Sequence, residues 1–350
     1  MIKHPILLED FQFIADKVFS KGYFSNSCIL VTGATGLIGS LIVKSILYAN
    51  SVLNTNITVL ASIRNKEKAE KVFEDFISYP NLEFTTVELS SPLDFGKQID
   101  FIIHTASITS SKEMIDNPVG VLLTAFESTK NLLEYIRNKP HCKMVYLSSM
   151  EYYGKITSEN LDVTEDKLGY IDLFMPRSCY PESKRVCESL CNAYAKQYKV
   201  NVCNARLAQT FGAGVSSSDN RVFSQFAKSV INKTDIILHT SGQSEGNYCY
   251  TADAIYGIFV LLHKGITGNS YNISYSHSSI LDMAQMVAKK IGNNTIKVKI
   301  DIPKNLNQLG YAPDVKLKLN SNKLKSLGWE PTIDLENMFK RMIASWNATY

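Results

Sequence analysis

Residues 28–40 read CILVTGATGLIGS, and this stretch decides the fold. Its apolar start predicts a buried strand, and the residues from Ser40 onward predict a helix. Between the two, Gly33, Gly36 and Gly39 follow the spacing GxxGxxG. Such glycines allow a tight turn, a close approach of backbone N–H groups to a pyrophosphate, and close helix-to-strand packing. An isolated glycine triplet also suits a plain strand–turn–helix junction, but strand, glycines and helix in this order predict dinucleotide binding.

Strand-like and helix-like segments alternate along the chain outward from this loop. The strand-like segments are 57–62, 83–89, 101–107, 144–149 and 201–207, and the helix-like segments are 65–78, 120–137 and 182–198. This alternation predicts βαβ units, and therefore an α/β fold whose parallel sheet has helices on both faces. The later segments are less regular, and they are a strand at 235–240, helices at 252–264 and 279–291, and short strands near 296–301. We expect a second lobe that is assembled from discontinuous pieces.

The composition is that of an ordinary globular enzyme. The chain has 350 residues, 45% of them hydrophobic, and a net charge of +4, which is too small to predict nucleic-acid binding. No apolar stretch is long enough to predict a membrane span, and the start of the chain does not resemble a signal peptide. The seven cysteines are scattered without a CxxC pair, which predicts neither a disulfide framework nor a metal site. We expect reduced thiols in a cytoplasm.

The second predicted strand bears on the choice of dinucleotide. NAD-binding proteins commonly carry an acidic residue near the end of this strand, where it binds the ribose 2′-OH. This chain has 61-ASIRNKEKAE-70 there, with Arg64 close to the strand end. A guanidinium suits a 2′-phosphate because it can form paired hydrogen bonds. The pattern favours NADP over NAD, with a solvated basic turn as the alternative.

A tyrosine and a lysine follow in 180-YPESK-184. Tyr180 and Lys184 are four residues apart, so on a helix they share a face. The lysine charge would lower the tyrosine pKa and help the phenol to exchange a proton with a substrate hydroxyl. Ser149, at the end of the fifth predicted strand, can bind the same oxygen. An isolated YxxxK is usually a pair of surface residues without a catalytic role. Because it follows the glycine loop and Ser149 in the same chain, it predicts a catalytic group here.

The segments TGATGLIG, HTAS, SSMEYYG, YPESK and RLAQTFGAG occur in this order along the chain. Together they resemble the extended short-chain dehydrogenase/reductases, the family of NAD(P)-dependent nucleotide-sugar epimerases and dehydratases. The resemblance implies a Rossmann-type doubly wound parallel sheet over 27–205, to which part of 235–265 returns. It also implies a smaller C-terminal α/β substrate lobe, mainly 206–350. We expect an N-terminal helical extension, 1–26, before these two parts. A cytoplasmic homodimer and a role in polysaccharide biosynthesis are implied as well.

The resemblance also implies roles for individual residues. Tyr180 and Lys184 would be catalytic together with Ser149. Ser149 is preferred over Ser148 because the family's catalytic hydroxyl lies five positions before the glycine of a VYG-like motif, here Gly154. The residues implied at the NADP or NAD site are Gly33, Thr35, Gly36, Leu37, Ile38, Gly39, Arg64, His104, Thr105, Ala106, Ser107, Tyr180 and Lys184. Those implied at a nucleotide-diphosphate sugar are Ser149, Met150, Glu151 and Arg221.

Met150 and Glu151 bear on the reaction. At the positions that correspond to Met150 and Glu151, 4,6-dehydratases carry residues that resemble an Asp-Glu pair. Nucleotide-sugar decarboxylases carry a serine followed by a glutamate there. Oxidation at C4 makes the C5 proton of a sugar acidic, so Glu151 could remove it; local capping or pairing is the alternative. Met150 cannot donate the proton that expels a C6 hydroxyl, which disfavours dehydration. Ala125 and Gly246 replace an asparagine and an arginine that are common in relatives, which suggests an atypical substrate.

Three functional hypotheses follow. The leading one is an epimerase, or a related dehydratase or decarboxylase, that works through a transient 4-keto sugar without net redox change. The second is a reductase that consumes NADPH to reduce a nucleotide-linked keto sugar, which Arg64 favours. The third is a non-enzymatic binding module, and the presence of both Tyr180 and Lys184 disfavours it.

Overall fold

The structure is a computed structural model that describes residues 4–156, 162–302 and 316–347. Parts of the predicted ranges, namely 1–3, 157–161, 303–315 and 348–350, lie outside the described residues. In chain order the strands are β1 (Cys28–Thr32), β2 (Thr58–Ser62), β3 (Leu82–Thr85), β4 (Phe101–His104), β5 (Lys143–Ser149), β6 (Asp162–Val163), β7 (Asn201–Leu207), β8 (Gln209–Phe211), β9 (Ile236–Leu238), β10 (Glu245–Tyr250), β11 (Ser270–Ile273), β12 (Ser276–Ser279), β13 (Val298–Ile300) and β14 (Lys318–Leu319).

Helices alternate with these strands. They are α1 (Pro5–Ile14), α2 (Leu37–Leu53), α3 (Lys66–Val72), α4 (Ser111–Asp116), α5 (Pro118–Ile136), α6 (Cys179–Tyr198), α7 (Val222–Asn232), α8 (Thr251–Lys264), α9 (Ile280–Met286), α10 (Asn322–Lys325) and α11 (Leu335–Asn347). Short π-helical turns, Ala15–Phe19 and Val287–Ile291, extend α1 and α9. Within the described ranges, no helix is both long enough and apolar enough to cross a membrane.

Seven strands form one parallel sheet in the order β11-β7-β5-β4-β1-β2-β3. The strand order runs outward in both directions from the neighbours β1 and β4, so the sheet is doubly wound. Where the order reverses, the carboxyl ends of two adjacent strands open a crevice, and ligands of open α/β sheets bind there. The predicted fold class, a Rossmann-type α/β fold, is confirmed.

Alternate side chains of the sheet face two separate hydrophobic layers. On β1, Ile29 and Val31 belong to the layer that contains α2 and α8, whereas Leu30 belongs to the layer that contains α5 and α6. Successive residues of a strand point to opposite faces of the sheet. Because helices cover both faces, both must be apolar, and β1 reads as an uninterrupted apolar run.

The chain beyond β7 builds a second lobe and also returns to the large sheet. Three small sheets lie outside the large one: β12-β10-β8, β13-β9 and β14-β6. By contrast, β11 pairs with β7 at the edge of the large sheet, and α8 packs against β5 and β7. The range 206–350 therefore contributes to both lobes.

Three predicted strands end earlier in the structure. The segments predicted at 101–107, 83–89 and 235–240 are strands only to His104, Thr85 and Leu238. After His104 the regular backbone ladder with β1 ends, because the next hydrogen bonds to Thr32 run through side-chain hydroxyls, those of Thr105 and of Thr32 itself. This early end of β4 brings residues 105–107 to the crevice.

A buried ion pair holds the turn after β5 against the sheet. Arg206 of β7 donates to both carboxylate oxygens of Glu188 on α6, at 2.8 to 3.1 Å, and both side chains are almost fully buried. The same guanidinium donates to the Tyr153 hydroxyl at 2.9 Å. Tyr153 ends the short 3-10 turn that begins at Met150, so the network fixes the turn that carries Glu151.

The N-terminal segment is part of the packed structure. α1 packs against α2, α8 and α11. Asp10 of α1 accepts hydrogen bonds from the Tyr250 hydroxyl at 2.6 Å and from Arg341 at 2.8 Å. Burial raises the pKa of Asp10 to about 6, although the positive charge of Arg341 opposes this rise. The beginning and the end of the described chain are thereby joined at one buried carboxyl group.

Candidate active site

The turn after β1 brings Gly33 against the loop after β4. Gly33 has a φ of +62°, in the left-handed region that favours glycine. A Cβ atom there would lie 2.8 Å from the Cα of Ala106 and 2.9 Å from the Thr105 hydroxyl. Any side chain at this position would therefore push the two loops apart at the crevice.

The N-terminus of α2 is open to an anion. Gly36 is the N-cap residue of α2 and has no side chain to bind the N–H groups of the first turn. Gly39, in that turn, packs so closely on Gly33 that a Cβ would collide with the Gly33 carbonyl oxygen. Uncapped N–H groups at a helix start bind phosphate. These residues fit the pyrophosphate of a dinucleotide, and the other residues predicted in the turn, Thr35, Leu37 and Ile38, are half-buried beside them.

Thr32 fixes the loop after β4. The Thr105 hydroxyl donates to the Thr32 carbonyl oxygen at 2.6 Å, and the Ala106 N–H donates to the Thr32 hydroxyl at 3.2 Å. Ser107 follows and is half-buried. The structure thus brings the predicted residues 105–107 next to the glycine turn.

His104 supports this loop from inside the protein. Its buried imidazole lies 2.8 Å from the Thr32 hydroxyl and 3.2 Å from the Thr129 hydroxyl. Burial lowers the pKa of His104 to about 3, and the charge of Lys184 acts in the same direction. The imidazole is therefore neutral at physiological pH and serves as a hydrogen-bonding support.

Arg64 stands free at the end of β2. Its side chain is exposed, two positions after Ser62, and the first acidic residue downstream is Glu67. Within the part of the chain that the structure describes, Arg64 forms no hydrogen bond or ion pair. A free guanidinium and the absence of a nearby carboxylate are the features that the sequence analysis associated with a 2′-phosphate.

Ser149, Tyr180 and Lys184 converge at the carboxyl end of β5. Ser149 is the last residue of β5, whereas Tyr180 and Lys184 lie on the buried face of α6 near its start. The Ser149 side chain lies close enough to Tyr180 to lower the pKa of the phenol as a hydrogen-bond partner. The Lys184 ammonium donates to the Leu147 carbonyl at 2.9 Å and lies 5.5 Å from the centre of the Tyr180 ring.

Burial shifts the two titratable groups in opposite directions, because it penalises the charged form of each. It raises the pKa of Tyr180 to about 12, together with the negative charge of Glu151, against the opposing effects of Ser149 and Arg177. It lowers the pKa of Lys184 to about 8. Near neutral pH the phenol therefore keeps its proton, and the ammonium lies close to its titration range.

Glu151 is bound by an arginine that the sequence analysis did not single out. Arg177 donates from Nη1 to Oε2 of Glu151 at 2.7 Å and from Nη2 to Oε1 at 3.0 Å. The two side chains are 30% and 34% exposed, so the pair is open to the crevice side of the turn. Arg177 precedes Tyr180 by three residues, but no spacing rule connects position 177 with position 151. The local pairing that was the alternative for Glu151 is thus present in the fold.

The remaining predicted substrate residues lie outside this group. Arg221 precedes α7, donates to Asp219 at 2.9 Å and stacks on Phe223 at 4.6 Å, with its side chain 50% exposed. Met150 is half-buried and packs on the core. Among the described residues, no three His, Cys, Asp or Glu side chains are grouped in a way that could hold a metal ion.

The side chain of Tyr248 fills the space next to Gly246. A Cβ atom at Gly246 would collide with the Tyr248 hydroxyl, so the space that an arginine at this position needs is filled by the phenol. Tyr248 is fully buried, and its hydroxyl has no partner within residues 4–156, 162–302 and 316–347. The absence of an arginine at position 246 is therefore built into the packing of the second lobe.

The chain matches the model of the NAD dependent epimerase/dehydratase family over residues 29–274. Among curated proteins, it is similar to UDP-glucuronic acid decarboxylase 1 of Danio rerio, at 28% identity over 320 residues that cover 90% of this chain and 71% of the relative. It is also similar to UDP-glucuronic acid decarboxylase 6 of Arabidopsis thaliana, at 28% identity over 319 residues that cover 90% of this chain and 88% of the relative.

Solved structures share the fold. The UDP-glucuronic acid 4-epimerase of Bacillus cereus, in complex with UDP-glucuronic acid and NAD, has a TM-score of 0.74 at 21% identity and covers 92% of this chain and 100% of its own. The dTDP-glucose 4,6-dehydratase of Bacillus anthracis, in complex with NAD, has a TM-score of 0.73 at 20% identity and covers 92% of this chain and 96% of its own. At these identities the comparison supports the architecture.

Gly33→Ala should weaken the binding of nicotinamide dinucleotides by about tenfold or more, which corresponds to about 1.4 kcal/mol. The new Cβ would collide with Ala106 and Thr105 and displace the loop after β4. Calorimetric titration with NADH and NADPH measures the effect. Gly96→Ala is the matched control, because Gly96 has a φ of +65° but no atom within 4 Å of a Cβ. Unchanged affinity in the Gly33 variant would contradict a cofactor site at this turn.

Lys184→Met should change how stability depends on pH. The folded pKa of Lys184 lies near 8, below its ordinary 10.5, so the unfolded chain binds more protons between these values and the wild type gains stability as pH rises. Relative to the variant, the wild type should gain about 1 kcal/mol in unfolding free energy between about pH 7 and about pH 9. Urea unfolding at several pH values measures this. The exposed Lys68→Met is the control and should show a constant difference; a constant difference for Lys184→Met would contradict the buried ammonium.

Proposed function

Because the chain belongs to the NAD-dependent epimerase/dehydratase family, we propose that it modifies a nucleotide-diphosphate sugar through a transient ketone at C4 of the sugar. The family and the enzyme class that the motifs predicted are confirmed by the family match. In the proposed reaction the sugar is rearranged without net oxidation or reduction. The observation that carries the proposal is the convergence of Ser149, Tyr180 and Lys184 at the carboxyl end of β5, on the same edge of the sheet as the glycine turn after β1.

The side chains of this group suit proton transfer at the C4 hydroxyl. A bound nicotinamide supplies the acceptor and donor of hydride at C4. Tyr180 is the group that takes the hydroxyl proton and later returns it, and Ser149 holds the same oxygen by a hydrogen bond. The phenol must lose its proton to act as a base, and the nearby Lys184 ammonium favours the phenolate electrostatically.

Glu151 is proposed to act at C5. A ketone at C4 acidifies the adjacent C–H bond, and Glu151 is the carboxylate nearest the catalytic group on the turn after β5. Its charge acts on both Tyr180 and Lys184, which supports a position within the site. Met150 offers no proton for expulsion of a C6 hydroxyl. This combination favours chemistry at C5 over a 4,6-dehydration.

Arg221 is proposed to bind the diphosphate of the substrate. Its side chain is half-exposed, and its ion pair with Asp219 keeps the guanidinium at the start of α7. Several similar proteins bear names with UDP-glucuronic acid, which supports a UDP-sugar as the first substrate to test. Gly246 and the packed phenol of Tyr248 favour a sugar pocket that differs from that of an arginine-containing relative.

NADP is proposed as the preferred cofactor within this NAD-dependent family. Support comes from the free Arg64 at the end of β2 and from the lack of a carboxylate before Glu67. Preference for NADPH would also suit the second candidate function, the reduction of a nucleotide-linked keto sugar. The two functions differ in whether cofactor is consumed in proportion to product.

We also propose a homodimer formed through α5 and α6. The two helices pack together, and their outer surface exposes apolar side chains: Val119, Leu122, Leu123 and Val186. An exposed apolar patch of this kind is typical of an interface. All seven cysteines are free thiols, which supports the predicted cytoplasmic location.

The function is tested with UDP-, CDP-, GDP- and dTDP-linked sugars while nicotinamide absorbance is followed and products are resolved by mass spectrometry and NMR. We expect conversion without net consumption of cofactor, and Tyr180→Phe should slow it on the order of a hundredfold or more. Cofactor consumption in proportion to product would identify a reductase instead. Lys289→Ala, at an exposed lysine of the turn Val287–Ile291, is the control. No turnover of any sugar by wild type that binds the dinucleotide would contradict the proposal.

Arg64→Ala should lower the affinity for NADPH by about tenfold, because a charge-assisted hydrogen bond is worth about 1.5–3 kcal/mol. The affinity for NADH should change by less than about twofold, since only the 2′-phosphate is lost as a partner. Titration of both cofactors into wild type and variant measures the ratio. The control is Lys71→Ala, another exposed cation of α3. Equal losses for both cofactors, or a wild type that prefers NADH, would contradict the NADP preference.

A further inference from the structure

Three cationic side chains at or just before the start of α6 hold the end of β5 and the turn that follows it. Their bonds run from Lys184 to the Leu147 carbonyl at 2.9 Å, from Arg185 to the Tyr152 carbonyl at 2.8 Å, and from Arg177 to the Glu151 carboxylate at 2.7 and 3.0 Å. The first two bonds are made to backbone oxygens and position the turn whatever its side chains are. The third is different because its partner is a side chain, and that side chain is the carboxylate of the candidate site.

The Arg177–Glu151 pair contributes little that the fold needs. Both side chains are about one third exposed, and pairs with this exposure stabilise proteins by about 0–1 kcal/mol. The buried pair of Arg206 and Glu188 already anchors the end of the same turn through Tyr153. The carboxylate of Glu151, in contrast, acts electrostatically on Tyr180 and Lys184. Its fixed orientation therefore matters for the site more than for stability.

Arg177 is itself held rigidly. It lies in a short 3-10 turn, Pro176–Ser178, directly before α6. Ser178 donates from its hydroxyl to the Asp172 carbonyl at 2.6 Å and from its N–H to the Met175 carbonyl at 2.9 Å. The turn runs directly into α6, so Arg177 and Tyr180 lie three residues apart on one continuous helical stretch. Glu151 is thereby oriented relative to the tyrosine that works at C4.

We infer that Arg177 is the positioning residue that aims the Glu151 carboxylate as the base for the C5 proton of the 4-keto sugar, an inference that rests on the proposed function. A two-pronged guanidinium contact stabilises a carboxylate anion and occupies one lone pair of each oxygen. Each oxygen keeps a second lone pair, which can accept a proton. Glu151 therefore enters the reaction as a proton acceptor rather than as a donor.

The step is balanced without any further reactant. The C5–H bond breaks, its electron pair forms an enolate with the C4 carbonyl, and Glu151 becomes a carboxylic acid. Return of the proton from Glu151 to the same face of C5 regenerates the ketone and the carboxylate. The oxidation state of the sugar is unchanged. The reaction class is proton exchange at C5, and not an acid-assisted loss of a C6 hydroxyl, since Met150 offers no second acid beside Glu151.

The test separates the C4 step from the C5 step. Wild type, Arg177→Ala, Arg177→Lys and Glu151→Gln are incubated in deuterium oxide with UDP-glucose, UDP-glucuronic acid and the corresponding dTDP-, GDP- and CDP-sugars. Single-turnover reduction of the bound nicotinamide reports on C4, and NMR of recovered sugar reports on deuterium at C5. Arg177→Ala should reduce C5 exchange on the order of a hundredfold with the C4 step within about threefold. Arg177→Lys should recover part of the exchange, because it restores the charge without the two-pronged contact.

Each outcome has a defined meaning. Absence of the C4 signal in wild type with every sugar overturns the proposed function. A C4 signal without C5 deuterium in wild type overturns this inference and leaves the proposed function standing. Equal losses at C4 and C5 in Arg177→Ala indicate a merely structural role and also overturn it. Arg137→Ala removes an exposed arginine–glutamate pair on α5 and is the control that should leave both signals unchanged.

Discussion

The close contact between Gly33 and the loop after β4 is the constraint on which the site depends. β1 and β4 are neighbours in the sheet although Thr32 and His104 are 72 residues apart in sequence. At the carboxyl ends of these two strands, the segments that follow meet so closely that a side chain at position 33 has no room. The contact directs the uncapped start of α2 toward the crevice and brings Thr105 and Ala106 beside it. A larger residue would separate two loops that are proposed to bind the cofactor together.

Helix α6 organises the other half of the site. Tyr180, Lys184 and Glu188 are spaced four residues apart and share its buried face. The first two face the carboxyl end of β5, where proton transfer is proposed, and the third binds Arg206 of the neighbouring strand. One helix therefore supplies both reactive groups and the anchor that holds them against the sheet. A small tilt of α6 would change all three contacts at once.

The charged groups of the molecule divide according to burial. Glu188 and Asp10 are buried, and each has an arginine partner, because an unpaired buried charge costs several kcal/mol, about 3–5. Lys184 is buried with a carbonyl partner and, within the ranges that the structure describes, no ion-pair partner, and burial lowers its pKa. Glu151 also has an arginine partner but is partly exposed, so a substrate can reach it. An arginine–carboxylate pair thus stabilises the fold where it is buried, and its carboxylate is accessible to a substrate where the pair is partly exposed.

The sequence by itself determined the strand–glycine–helix unit, the alternation that makes a doubly wound sheet, and the shared face of Tyr180 and Lys184. These features depend on neighbours a few residues apart, where backbone periodicity and glycine geometry act directly. Only the tertiary structure decided that Arg177 binds Glu151, that Arg206 pairs with Glu188, and that Tyr248 fills the space at Gly246. Position 177 lies 26 residues from position 151, and Arg341 lies 331 residues from Asp10. No local pattern encodes such pairs, because they form only when the packing of the whole sheet brings separate elements together.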